Sequence, residues 1–308
     1  MTLRRALGTL ALVLAASVAA GCGGGDGGGG STVTADGSST VGPFVTKAAE
    51  DFQAANEGAR VTVGISGTGG GFERFCRGET DLSNASRPIK DEERQICEQN
   101  GVQYTEFSVA TDALTNVVSS SNDWATCLTV EELKKIWEPG SKVKSWRQVR
   151  SEFPDEPLKL FGPGTDSGTF DYFTDVINGE EGASRQDYSA SEDDNVIVQG
   201  VSGEKGGLGY FGFSYFEENQ GRLKALEVDN GDGCVAPSVK AAQDGTYAPL
   251  ARPLFVYVNN EALGRDTVQA FVRYMLDNEV EIAEASQYVP LNEEQLAEQR
   301  AKLDEATG

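Results

Sequence analysis

The chain contains no histidine at all, only two methionines, and few cations for its size, with 26 lysines and arginines against 48 aspartates and glutamates. Without histidine, the commonest general base and the commonest zinc ligand are both missing. The excess of acid gives a formal charge of −22. Nucleic acids and anionic lipid surfaces need basic patches, so neither fits as a partner. Long apolar runs are scarce too. The one that stands out, Ala6 to Ala20, is too short to serve as a permanent membrane span. Cysteines number five, and none has zinc-finger spacing.

What is present begins with an export pattern. Arg4 and Arg5 precede the apolar run, which ends at Gly21-Cys22, and this has the three-part form of a secretory signal. A small residue before a cysteine resembles the bacterial lipobox, in which the sulfur is acylated and becomes the first mature residue. Ala19 stands where that pattern favours leucine. Residues 1–21 are therefore read as a lipoprotein signal peptide, and 22–31 as the lipidated Cys22 followed by a glycine-rich tether of flexible-coil composition. Removing the signal discards two arginines and no acid. Four cysteines remain, Cys76, Cys97, Cys127 and Cys234, and an even count in an exported chain implies two disulfides with three open connectivities.

With 308 residues and 39% apolar composition, the chain is long enough for two domains. Strand-like runs alternate with amphipathic stretches, the α/β signature. Phe44, Ala48, Phe52 and Ala55 fall at helical spacing before the β-branched run Val61 to Ile65. Leu158–Phe161, Leu208–Phe211 and Leu254–Val258 read as buried strands. Thr129 and Glu132 form a capping box for a helix ending near Trp137. Val268, Phe271, Val272, Met275 and Leu276 share one helical face, with further helix to about Leu303. No internal repeat is visible.

Three strand-to-helix turns are crowded with glycine and hydroxyl residues: ADGSSTVGP at 35–43, GISGTGGGF at 64–72 and FGPGTDSGTF at 161–170. Each brings backbone N–H groups and a hydroxyl to a helix N-terminus, where orphan donors and the positive end of the macrodipole favour an anion. A fourth segment, SNASRPIKDEE at 83–93, adds Ser86 and Arg87. Taken singly, Ser39, Ser66, Ser86 and Asp166 each fit an ordinary N-cap. GISGTGGG lacks the lysine of a nucleotide-binding P-loop, and no ribose-binding acid follows it. Together, several donor-rich turns with a single cation describe a site for a small tetrahedral oxyanion.

These phrases, with CLTVEELKKIWEP, GGLGYFGFSYF and RPLFVYV, resemble in order and over about 33–303 the phosphate-binding proteins of bacterial ABC importers, which have the type II periplasmic binding fold. The resemblance implies two α/β lobes, each a central sheet flanked by helices and joined by two hinge crossovers. Lobe I would be 32–110 plus 252–303 and lobe II 111–251, with crossovers near Thr111 and Arg252. It implies disulfides Cys76–Cys97 and Cys127–Cys234, one within each lobe. It places Ser39, Thr40, the N–H of Val41, Ser66, Ser86 and Arg87 on one wall of an interlobe cleft, and Ser167, Gly168 and Thr169 on the other.

The enteric branch carries an aspartate after the third-segment serine and an arginine four residues before the serine of S-G-T. Arg87 and Pro163 stand at those positions here. The cation has changed lobes, and Asp166 is the candidate for the carboxylate that accepts the proton of HPO₄²⁻. The implied role is a monomeric, cofactor-free binder of inorganic phosphate on the outer face of the cytoplasmic membrane or in the periplasm. It would touch the membrane only through its lipid and deliver its ligand to the permease subunits. The alternatives are another oxyanion (sulfate, molybdate or arsenate) or, with Ser167 or Thr169 as nucleophile, a phosphatase or esterase. The second lacks a positioned base.

Overall fold

The computed structural model describes residues 32–308, so the signal-like segment, Cys22 and the whole glycine tether lie outside the described residues. Within them no helix is long and apolar enough to cross a membrane.

Among the described residues there are twelve strands: β1 (Thr32–Gly37), β2 (Arg60–Val63), β3 (Leu82–Ala85), β4 (Tyr104–Ser119), β5 (Cys127–Thr129), β6 (Lys159–Gly162), β7 (Ser189–Ala190), β8 (Gly207–Gly212), β9 (Leu223–Ala225), β10 (Glu227–Asp229), β11 (Cys234–Val235) and β12 (Ala251–Asn259). Most form one path in the order β2-β1-β3-β12-β4-β8-β6-β7, with β9 also on β4, while β11-β10-β5 make a small separate sheet. The first three pair in parallel, as right-handed crossovers through helices require. Strand β4 is the link between halves. Its first part pairs antiparallel with β12, including Asp112 opposite Arg252, and its last part pairs with β8.

Two large cores lie on either side of this link. One gathers Phe44, Phe52, Val256, Phe271 and Met275, drawn from 33–110 and from 254–303. The other gathers Leu133, Trp137, Trp146, Phe173 and Tyr210, drawn from 114–250. The apolar spacing before β2 becomes helix α1 (Gly42–Ala55), which buries Phe44, Ala48 and Phe52 but leaves Ala55 exposed in its last turn. Helices α2 (Gly67–Phe75) and α3 (Asp91–Gln99) follow β2 and β3. The capping box of Thr129 and Glu132 opens α4 (Val130–Trp137), with the Glu132 N–H donating to Thr129 Oγ1 at 3.1 Å. The short α5 (Trp146–Val149) and then α6 (Gly168–Phe173), continued by a π-turn to Asn178, complete the elements around the site. Disulfides join Cys76 to Cys97 and Cys127 to Cys234.

One buried acid has a measurable consequence. Glu279 is 1% exposed; its Oε1 accepts the Leu291 N–H at 2.9 Å and its Oε2 has no partner. Burial outweighs that hydrogen bond and the nearby Arg300, raising its pKa from 4.5 to about 7. Below pH 4.5 folded and unfolded chains both hold the proton, and no stability is lost. As pH rises towards 7 the unfolded chain releases it first, so stability falls, by at most about 3 kcal/mol, and then levels off. Glu279→Gln keeps an acceptor for Leu291 and removes the titration. Urea unfolding is expected to find it equal to wild type near pH 4 and more stable at pH 8; equal stability at both would refute this account.

Candidate functional site

A cleft of about 660 Å³ opens between the two cores. Its position follows from the sheet: the carboxyl ends of β1, β2 and β3 run into helix N-termini on one side, the usual ligand crevice of an open α/β sheet. Close approach of α2 to β1 sets that wall. Gly71 lies so near β1 that a Cβ there would be 2.5 Å from the Gly37 Cα. Gly37 itself has φ +139° and sits tight against the Asn84 carbonyl.

The first wall is built from hydroxyls and main chain. Ser38, Ser39 and Thr40 come from the turn into α1, Gly67, Thr68 and Gly69 from the first turn of α2, and Ser86 and Arg87 from the end of β3. No side chain caps the N-terminus of α2, so its first-turn donors remain for a ligand or water. Thr68 and Ser86 form a pair, with hydroxyls 3.1 Å apart and the Ser86 N–H donating to Thr68 Oγ1 at 3.3 Å. The second wall comes from α6 and its continuation: Asp171, Tyr172, Asp175 and, beyond them, Glu181. Arg252 and Pro253 of β12 close the floor.

Of the residues expected from sequence, Ser39, Thr40, Ser86 and Arg87 face this cleft. Val41 is fully buried, and its N–H is directed at Ser38 Oγ, 3.4 Å away, within its own turn. Ser66 is exposed, and Thr68, two residues on, takes the lining position. Asp166 is exposed and its N–H points to Glu192, 3.4 Å away. The cap of α6 is Ser167, whose Oγ accepts the Thr169 N–H at 3.2 Å, so the N-cap role entertained for Asp166 goes to its neighbour. Ser167 and Thr169 are half-buried beside the cleft rather than lining it. Gly168 meets the first wall, since a Cβ there would lie 3.0 Å from Thr40 Oγ1.

The single cation read from the turns is corrected to two guanidiniums and a lysine, Arg87, Arg252 and Lys90. Arg87 is held in a fork by Glu93, with Nη1 and Nη2 each 2.8 Å from a carboxylate oxygen. These bonds raise the Arg87 pKa further. For Glu93, burial pushes upward, but the bonds from Arg87 and the Lys90 N–H prevail and hold it below the usual range.

Arg252 donates from Nε to Asp112 Oδ2 at 3.1 Å and from Nη2 to Thr40 Oγ1 at 3.1 Å, with its guanidinium 3.7 Å above the Tyr172 ring. Asp112 is 6% exposed. Burial raises its pKa, and the charge and hydrogen bond of Arg252 oppose that rise. Asp171 is also shifted up, first by burial, then by Glu181, with Arg252 opposing. The Tyr288 hydroxyl donates to the Thr40 carbonyl.

Thr68 and Ser38 were not singled out from sequence, and Arg252 was read as a crossover rather than as a site residue. The first two neighbour chosen hydroxyls in the same turns. Arg252 heads a buried strand, and the only signal was a charged residue opening the apolar run Pro253 to Val258. Among the described residues, one Cys/Asp/Glu group is close enough to share an ion: Cys127, Glu227 and Cys234. Its two sulfurs are bonded to each other.

The chain as a whole is similar to known proteins. A PBP superfamily domain matches residues 24–279. Protein SphX of Synechococcus elongatus is 53% identical over 262 residues, 84% of this chain and 77% of that protein. Phosphate-binding protein PstS of Staphylococcus saprophyticus is 41% identical over 278 residues, 90% of this chain and 85% of that protein. The crystal structure of a possible phosphate binding protein from Planctomyces limnophilus superposes with a TM-score of 0.86 at 44% identity, covering 90% of this chain and 99% of that one.

Proposed function

The chain belongs to the PBP superfamily and, within it, to the family of the PstS phosphate-binding proteins, and from that premise we propose that it captures inorganic phosphate outside the cytoplasmic membrane and delivers it to an ABC permease. It is a solute-binding protein, not an enzyme. The observation that carries the ligand assignment is the convergence of Ser38, Ser39, Thr40, Thr68 and Ser86 with a helix N-terminus that no side chain caps, in a cleft whose two guanidiniums are each paired with a carboxylate. Such a site holds a small oxyanion by short donors rather than by bulk attraction, as the net negative charge of the chain requires.

The second wall favours phosphate over sulfate. Asp171, Asp175 and Glu181 offer acceptors to the proton of HPO₄²⁻, and a fully ionised sulfate would meet them with no proton to share. They replace Asp166 as candidates for that acceptor, because Asp166 is exposed and outside the lining.

The division into lobe I, 32–110 plus 252–303, and lobe II, 111–251, is supported by the composition of the two cores. Closure about the paired β4 and β12 would tighten Ser167 and Thr169, which flank Gly168 where it already meets Thr40, onto a ligand held by the first wall, and the closed form would present itself to the permease. The lipid anchor at Cys22 remains part of the proposal. Titration calorimetry at neutral pH is expected to give saturable heat with phosphate and none with sulfate or molybdate, and X-ray scattering a more compact particle with phosphate. Equal heats for phosphate and sulfate would defeat the assignment.

A further inference from the structure

We propose that Arg252, and not Arg87, is the guanidinium that contacts the bound anion, and that Asp112 and Tyr172 hold it in place for that purpose. The inference rests on the phosphate reading of the cleft and deepens it. Arg87 has the motif position that sequence reasoning favours, yet its two terminal nitrogens are both turned to Glu93, and Nη1 also reaches the Pro88 carbonyl at 3.1 Å. A forked arginine–carboxylate pair of this kind is close to neutral as seen from the cleft.

Arg252 is arranged differently. It rises from β12 in the cleft floor, where Asp112 fixes Nε and also lies 3.1 Å from Nη2. Nη2 also donates to Thr40, and the plane of the group lies on Tyr172. These contacts orient the guanidinium completely while leaving Nη1 with no protein partner among the described residues. Its three supports come from three places: Thr40 from the first wall, Tyr172 from the second, and Asp112 from the strand that joins the halves. An oxyanion on Nη1 would therefore touch a side chain that is itself in contact with both walls. A planar fork pre-organised in this way loses little entropy on binding.

The test is phosphate calorimetry on wild type, Arg252→Met, Arg252→Lys, Arg87→Met and the double variant Asp112→Asn/Arg252→Met. The double variant leaves no unpaired buried carboxylate if the single one folds poorly. Circular dichroism and melting curves confirm folding in each case. Removing a charge-assisted contact is expected to weaken phosphate binding roughly 100-fold in Arg252→Met and in the double variant. Arg252→Lys keeps charge without the fork and the stacked plane, and a loss of roughly tenfold is expected. Arg87→Met, which also leaves the Glu93 carboxylate unpaired at the wall, is expected to lose clearly less than Arg252→Met, no more than about tenfold. Wild-type affinity in the folded double variant, or an equal loss in Arg87→Met, would overturn the proposal. Calorimetric silence of the wild type would instead overturn the phosphate reading on which it stands.

Discussion

Gly71→Ala is expected to unfold about 1–3 kcal/mol more easily than wild type and, while still folded, to bind phosphate roughly tenfold more weakly. The added methyl would sit 2.5 Å from the Gly37 Cα, 3.1 Å from the Asp36 carbonyl oxygen and 3.1 Å from Ser83 Oγ. Main chain cannot swing aside as a side-chain tip can, so α2 itself must withdraw from β1. That movement carries Gly67, Thr68 and Gly69 with it and separates Thr68 from Ser86. The loss of one well-placed donor is worth about 1–1.5 kcal/mol, which sets the tenfold figure. Gly37→Ala should be worse, because φ +139° is closed to an alanine and its Cβ would lie 2.2 Å from the Asn84 oxygen. Little soluble protein is expected from it. Denaturant unfolding and calorimetry on Gly71→Ala check the argument; wild-type values in both would show that the helix–strand contact does not set the wall.

The second large effect concerns Cys127 and Cys234. They are 107 residues apart, so the bond closes a long loop, and Cys127→Ser/Cys234→Ser should cost roughly 4–5 kcal/mol by the chain-entropy account. Cys76 and Cys97 are 21 apart, and losing their bond should cost roughly 3 kcal/mol. The two also differ in access. Cys234 is exposed, whereas Cys76 and Cys97 are 1% and 0% exposed, so mild reductant should open the longer loop first. Each bond ties together residues on one side of the cleft. Phosphate affinity of the folded double-serine variant should accordingly match wild type, and a marked loss would show that the bond shapes the site.

Much of the architecture is legible in the sequence. The spacing of Phe44, Ala48 and Phe52 became α1, and Val268, Phe271, Val272, Met275 and Leu276 became one buried helix face. Strand β4 went unread as a single element because Thr111, Asp112, Thr115 and Asn116 interrupt its apolar pattern. All four are buried within the strand, where pairing to β12, β8 and β9 overrides the local signal. The hydroxyl turns led directly to Ser39, Thr40 and Ser86. They led to Ser66 rather than Thr68 because the cap position looks the same in sequence whichever hydroxyl faces inward. Arg252 and its partner Asp112 are 140 residues apart, and only strand register brings them face to face.

That register has a mechanical consequence. Two strands bonded edge to edge behave as a ribbon, which twists far more readily than it stretches or shears. In the proposed closure the ribbon is the axle, and the rims of the two halves sweep the longest arcs. Thr40, Tyr172 and Arg252 lie near that axle, where displacements are smallest. An anion seated there would keep its grip through much of the swing, so capture and shutting need not happen at the same instant.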